Sequence, residues 1–128
     1  MGESVEGGVN SYKDLQIWRA AMDLAVDCYD VTKAFPASET YGMTSLMRRS
    51  SSSVAANIAE GYGREHTSSF IQFLRIAQGS RKELETHAIL CERVGLMFEA
   101  DASRLLDRSS NLGKMLRAMI RSLQRKHQ

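Results

Sequence analysis

A single proline, two cysteines and nine aromatic side chains are all that this 128-residue chain has of the residues that mark several other fold classes. So few aromatics, with no alternating apolar and polar runs, exclude a β-sandwich. The cysteines, Cys28 and Cys91, are far apart and fit no metal-ligand spacing; they read as small buried hydrophobes. Long apolar runs are missing too. The longest charge-free stretch within the apolar pattern, Ser50 to Ala59, is too short to span a bilayer, and no apolar signal segment opens the chain. No membrane association and a cytoplasmic location are therefore expected.

The usual catalytic motifs are equally scarce. There is no Gly-x-Ser-x-Gly elbow and no Gly-Lys-Ser/Thr phosphate loop, and Gly61-Tyr62-Gly63 lacks the preceding strand of a dinucleotide site. A di-metal bundle needs Glu-x-x-His on two helices. Upstream of His87, Glu83 lies four residues away and Glu85 two, while His66 and His127 fall in a loop and at the chain end. No catalytic residue, metal or cofactor is expected, and the chain reads as a non-enzyme.

What is present is an ordinary balance for one domain: 43% hydrophobic and 25% charged residues, with seven methionines suited to a helical core. The net charge of +2 says little, but its distribution says more. Residues 1–64 carry six bases and eight acids, and residues 65–128 carry eleven bases and seven acids. From Lys114 to Gln128 there are five bases and no acid, an asymmetry that hints at an anionic partner.

Residues 1–10, glycine-rich and without periodicity, read as a disordered leader; 11–128 read as one domain. Ser11 and Asp14 have the spacing of a capping box. An apolar stripe follows at Trp18, Met22, Ala25 and Tyr29, and Pro36 predicts a helix end near Ala34. A second helix is expected from an N-cap at Thr44, with Met47, Ser51, Val54 and Ile58 on one face and left-handed Gly61 and Gly63 as its stop. A third, capped by Thr67 or Ser68, carries Phe70, Phe73, Ala77, Leu84, Ala88 and Cys91 and ends near Val94-Gly95, with a close contact or bend at Gly79-Ser80. A fourth, capped by Asp101, carries Leu105, Leu112, Met115 or Leu116, Met119 and Leu123, with a kink expected between Ser109 and Gly113. Four helices with short connections predict an up-down-up-down bundle.

The run Ser50-Ser51-Ser52-Ser53 looks like a linker until it is placed on this period. Four serines forgo roughly 2 kcal/mol of helix propensity relative to alanine. Small side chains, continued by Ala55, Ala56 and Ala59, offset this by letting neighbouring helices approach closely, and the hydroxyls can bond back to the preceding turn.

Three segments carry a family resemblance: "YKDLQIWRAAMDLAVDCYDVTKAFP", "ETYGMTSLMRRSSSSVAANIAEGYGR" and "FIQFLRIAQGSRKELETHAIL". The most specific element is Asn57-Ile-Ala-Glu-Gly61 followed by Gly63-Arg64, with Arg48-Arg49 eight residues earlier. Over about residues 11–96 the chain resembles the four-helix bundle proteins encoded by intervening sequences in bacterial 23S ribosomal RNA genes, some of which carry an S23 label. The resemblance implies an all-α, left-handed up-and-down bundle with no established enzymatic activity. That family is in turn similar to accessory proteins of diversity-generating retroelements, which assemble as five-membered barrels and work with a reverse transcriptase and its RNA. A homopentamer and, alternatively, a reverse transcriptase partner are what this implies.

Candidate site residues follow. Lys114, Arg117, Arg121 and Arg125 step by three, four and four, forming one basic ribbon extended by Lys126. Such a ribbon is either a solvated face or a patch that tracks an RNA or DNA backbone. Arg48 and Arg49 are either structural ion-pair residues or phosphate contacts. Asn57 is expected in a hydrogen-bond network that fixes helix register or subunit orientation, or else in a polar ligand site; Glu60, Gly61 and Arg64 join it as structural or interface residues. The surplus of small and apolar residues in the second helix predicts self-association.

Overall fold

The computed structural model describes residues 11–127; the leader expected at 1–10 lies outside the described residues. The capping box forms as its spacing predicts. The Ser11 hydroxyl accepts from the Lys13 N–H at 3.1 Å, and the Ser11 N–H donates to Asp14 Oδ2 at 3.3 Å. It caps a single 3₁₀ turn, Tyr12–Asp14, after which α1 runs Gln16–Thr32. A second 3₁₀ turn, Ala37–Glu39, leads to α2 at Met43–Tyr62, followed by α3 at Thr67–Arg93 and α4 at Glu99–His127. Each helix packs on its two neighbours in cyclic order, α1 on α2, α2 on α3, α3 on α4 and α4 on α1, which makes a four-helix up-and-down bundle.

The helix ends differ from expectation in four places, the first at α3, whose N-cap is His66 with no side-chain cap bond, so that Thr67 and Ser68 lie inside its first turn. The Glu39 side chain accepts from the Met43 N–H at 3.0 Å, so α2 starts at Met43 and Thr44 lies inside its first turn. Asp101 is also inside a first turn, that of α4, where with Glu99 it sits at the positive end of the helix dipole. Gly61 and Gly63 have no left-handed backbone; among the described residues only Gly95 does, at φ 85°. Gly95 closes α3 with paired bonds, Leu96 N–H to the Cys91 carbonyl and Gly95 N–H to that of Glu92. Despite Ser109 to Gly113, α4 is one continuous helix.

The stripe on α2 is as expected, with Met47, Ser51, Val54 and Ile58 wholly buried. On α1 the core face is rotated from the expected one. Ile17, Ala21, Leu24, Cys28 and Val31 point inward, whereas Met22 and Tyr29 are exposed and Trp18 is half-buried. The helix therefore has two apolar faces, and the richer aromatic one lies outside the core. Leu74, Leu84, Leu105, Leu112 and Leu116 complete the interior, each contributing on the order of 1.5–3 kcal/mol by burial.

The serines are divided between the two seams of α2: Ser50 and Ser53 line its α3 side and Ser52 its α1 side. Ser50, Ser51 and Ser52 donate to carbonyls three or four residues back, and Ser53 Oγ shares a 2.9 Å hydrogen bond with Ser80 Oγ on α3. Gly61 makes the closest approach, since a Cβ there would lie 2.6 Å from Phe73 Cβ. Gly79, by contrast, faces open space. Gly61→Ala should destabilise the bundle by about 1–3 kcal/mol through overpacking, and Gly79→Ala should stabilise it by about 0.5–1 kcal/mol through helix propensity. Urea denaturation of the two variants checks both signs.

Candidate nucleic-acid interface

The C-terminal half of α4 presents Lys114, Arg117, Arg121, Arg125 and Lys126 to solvent. None of these five has an ion-pair partner among the described residues. The N-terminal half of the same helix behaves differently. Arg104 and Arg108 both reach Asp27 on α1, at 3.4 and 2.6 Å, and Arg104 also meets Asp101 at 3.2 Å. The helix is thus divided into a half whose bases are neutralised against a neighbour and a half whose bases face water. Arg125 and Lys126, in the last turn of α4, also complement the negative end of its helix dipole.

The two arginines of α2 part company. Arg48 stacks over the Tyr29 ring, 4.5 Å from its centroid, and its Nε donates to Thr32 Oγ1 at 2.9 Å. Its Nη2 reaches the Tyr29 carbonyl at 3.5 Å, so this cation tethers α2 to the carboxyl end of α1. Arg49 is exposed and lines a cleft of about 200 Å³ between α2 and α3 with Leu46, Ser50, Ser53, Glu83 and His87. Neither lies on α4, so the structure does not bring Arg48 and Arg49 into the ribbon.

Asn57 is half-buried, and its amide donates to the Ser53 carbonyl at 2.8 Å and to Ser53 Oγ at 3.0 Å. Through Ser53 it joins the hydroxyl pair that links α2 to α3. Glu60 and Arg64 form an exposed pair at 2.7 Å, and the Arg64 guanidinium lies 4.9 Å from the Phe73 ring centroid. An exposed pair at this spacing contributes only about 0.3–0.5 kcal/mol; the stacking fixes the start of α3 against the end of α2.

A buried charge network between α3 and α4 went unread in the sequence. Arg81 is 3% exposed. Its Nη1 donates to Glu85 Oε2 at 2.6 Å and to Ser109 Oγ at 3.2 Å, and its Nε to Gln78 Oε1 at 2.8 Å. Ser109 in turn donates to Glu85 Oε2 at 2.7 Å, and Gln78 Nε2 to the Gly113 carbonyl at 3.0 Å. A Cβ on Gly113 would lie 2.5 Å from the guanidinium carbon, so glycine makes the space for the charge. Desolvation pulls the Arg81 pKa down, opposed by Glu85 and assisted by the charge of Arg117. The signal was present: Arg81 fills the gap between Ala77 and Leu84, and Ser109 the gap between Leu105 and Leu112, each at helical spacing.

A second missed feature is an open groove of about 590 Å³ between α1 and α2. Trp18, Met22, Val26 and Tyr29 form one wall, and Ala55, Ala56 and Ala59 the other. Met22, Val26 and Tyr29 are 39, 56 and 43% exposed. Among the described residues no group of three or more metal-ligating His, Cys, Asp or Glu side chains converges, and no helix is long and apolar enough to cross a membrane.

The sequence model of the 23S rRNA-intervening sequence protein family matches residues 13–118. The chain belongs to that family. This intervening-sequence protein is also similar to a solved structure, a protein of unknown function from the S23 ribosomal protein family of Bacteroides thetaiotaomicron. The two are 24% identical and superpose with a TM-score of 0.74 over 81% of this chain and 97% of that one, which shows a shared fold. A search of the curated proteins finds no match.

Cys28 and Cys91, buried and free, flank Met47 in the core of this intervening-sequence protein. Burial pushes the Cys91 thiol up from 9.0 to about 11, with the Glu39 and Cys28 charges adding to it. A proton held more tightly in the fold than in the unfolded chain stabilises fully below the unfolded pKa and is lost as pH rises through the folded one. Stability should therefore fall between pH 9.0 and about 11, by about 2–3 kcal/mol from this thiol alone. Denaturant titrations across that range should show a correspondingly smaller fall for Cys91→Ala.

Proposed function

We propose that this protein is a non-enzymatic, cytoplasmic bundle that self-assembles and binds structured RNA or DNA through the α4 ribbon. The observation that carries the reading is the unpaired state of Lys114, Arg117, Arg121, Arg125 and Lys126 beside the fully paired Arg104 and Arg108. Phosphate neutralisation needs clustered free cations and no base-specific geometry. Aromatic side chains are missing from the ribbon, so base stacking has no platform there, and the binding is weakly sequence-selective. The groove between α1 and α2 supports self-association: it is apolar, wide open and lined by small residues that admit a close neighbour. A ring of five is the assembly that resemblance to retroelement accessory proteins implies, and it would repeat the ribbon around an axis and add valency.

A second reading is a scaffold that docks a reverse transcriptase and its RNA. Two exposed aromatic side chains favour it: Tyr41, 97% exposed before α2, and Phe98, 79% exposed before α4, stand in the two loops at one end of the up-and-down bundle. A neighbouring reverse-transcriptase gene would select this reading over the first.

Filter binding of a structured RNA should show affinity at about 50 mM salt that falls roughly 10²-fold by about 200 mM. Replacing Lys114, Arg117, Arg121 and Arg125 with glutamine should abolish it while leaving the helical circular dichroism intact. No binding at the lower salt overturns the nucleic-acid reading. Self-association is tested separately by light scattering. Met22→Glu with Val26→Glu should reduce the mass to that of one 14.3 kDa chain without unfolding it; a wild type already monomeric overturns the assembly.

A further inference from the structure

The ribbon has a neighbour on α3. A polar cleft of about 360 Å³ lies between α3 and α4, lined by Arg81, Lys82, Glu85, Leu106, Asp107, Ser110 and Arg117. Arg117 belongs both to this cleft and to the ribbon. Three cations face two carboxylates here, and Glu85 is already engaged by Arg81 and Ser109. Lys82 reaches Glu85 only at 3.8 Å and remains largely exposed.

Arg81 itself is incompletely satisfied. Its Nε and Nη1 are held by Gln78, Glu85 and Ser109, whereas its Nη2 donates to no acceptor among the described residues. A buried guanidinium nitrogen without a partner is costly, and this one is held rigidly by its other bonds. Resting on it is the nearby charge of Arg117, which disfavours the Arg81 cation. An oxyanion in the cleft would accept from Nη2 and relieve that repulsion.

We propose that this cleft seats one backbone phosphate of the bound nucleic acid, contacted by Lys82, Ser110, Arg117 and Arg81 Nη2, so that the binding surface crosses from α4 onto α3. The proposal rests on the nucleic-acid reading above. It turns a line of cations along one helix into a surface with one fixed, pre-oriented contact.

Lys82→Gln and Ser110→Ala both change exposed side chains and leave the buried network in place. With a structured RNA as probe, Lys82→Gln should lower the slope of log affinity against log salt by about 0.7–0.9, the contribution of one neutralised phosphate. Ser110→Ala removes a neutral donor and should weaken binding several-fold with the slope unchanged. Lys33→Gln, at the carboxyl-terminal cap of α1 and outside the α3–α4 cleft, should change neither. An unchanged slope in Lys82→Gln, with binding still lost in the four-fold α4 variant, overturns the phosphate seat and leaves the ribbon standing. Absence of wild-type binding removes both together. Inorganic phosphate at millimolar concentration should compete with RNA less well against Lys82→Gln than against wild type; equal competition would also count against the seat.

Discussion

Gly61 lets the backbone of α2 come against Phe70 and Phe73, and the serine pair Ser53–Ser80 holds the same two helices together further along. This close seam sets the rest of the bundle. Close approach requires small side chains, small side chains weaken intrinsic helicity, and the lost propensity is recovered only because the helix is clamped by its neighbours. The hydroxyls of Ser50 and Ser51, which would otherwise be polar groups beside an apolar interior, are absorbed by the carbonyls of their own helix. Asn57 then bonds back to Ser53, so a polar strip runs along the seam with its donors satisfied.

The four helices and their order were legible in the sequence because the period of 3.6 recurs over long segments, and Pro36 and Gly95 mark real ends. The α2 face was read correctly at Met47, Ser51, Val54 and Ile58, all four wholly buried. On α1 two apolar faces compete, and periodicity alone favoured Trp18, Met22 and Tyr29 over the smaller Ala21 and Cys28 that the interior holds. Gly61 and Gly63 were read as turn formers; Gly61 instead answers a distance constraint from another helix, which no local pattern contains. Of the candidate site, the ribbon was visible as a spacing. That Arg48 is tied to Tyr29 and Thr32 was not, because that contact depends on how α1 ends against α2. The Arg81 network was hidden by the habit of reading charged residues as outward-facing.

Charge in this protein is divided by helix half rather than by helix. Asp27 gathers Arg104 and Arg108 and so binds α1 to α4 near one end. Beyond Gly113 the acids cease, and the bases face outward. Attraction to α1 and availability to an external anion are thus properties of different turns of one helix, and changing either need not disturb the other.

Gly113 and Arg81 impose a constraint of another kind. The guanidinium lies where any side chain at position 113 would begin; its charge is matched by Glu85, and Ser109 accepts a further hydrogen bond from it. A larger residue at 113 would expel the arginine and strand Glu85, whereas an apolar residue at 81 would leave a hollow that a larger 113 could fill. The two positions therefore form an inherited unit. Divergent sequences on this fold should keep the glycine with the arginine or exchange both, and such paired exchange would leave a covariation mark across α3 and α4.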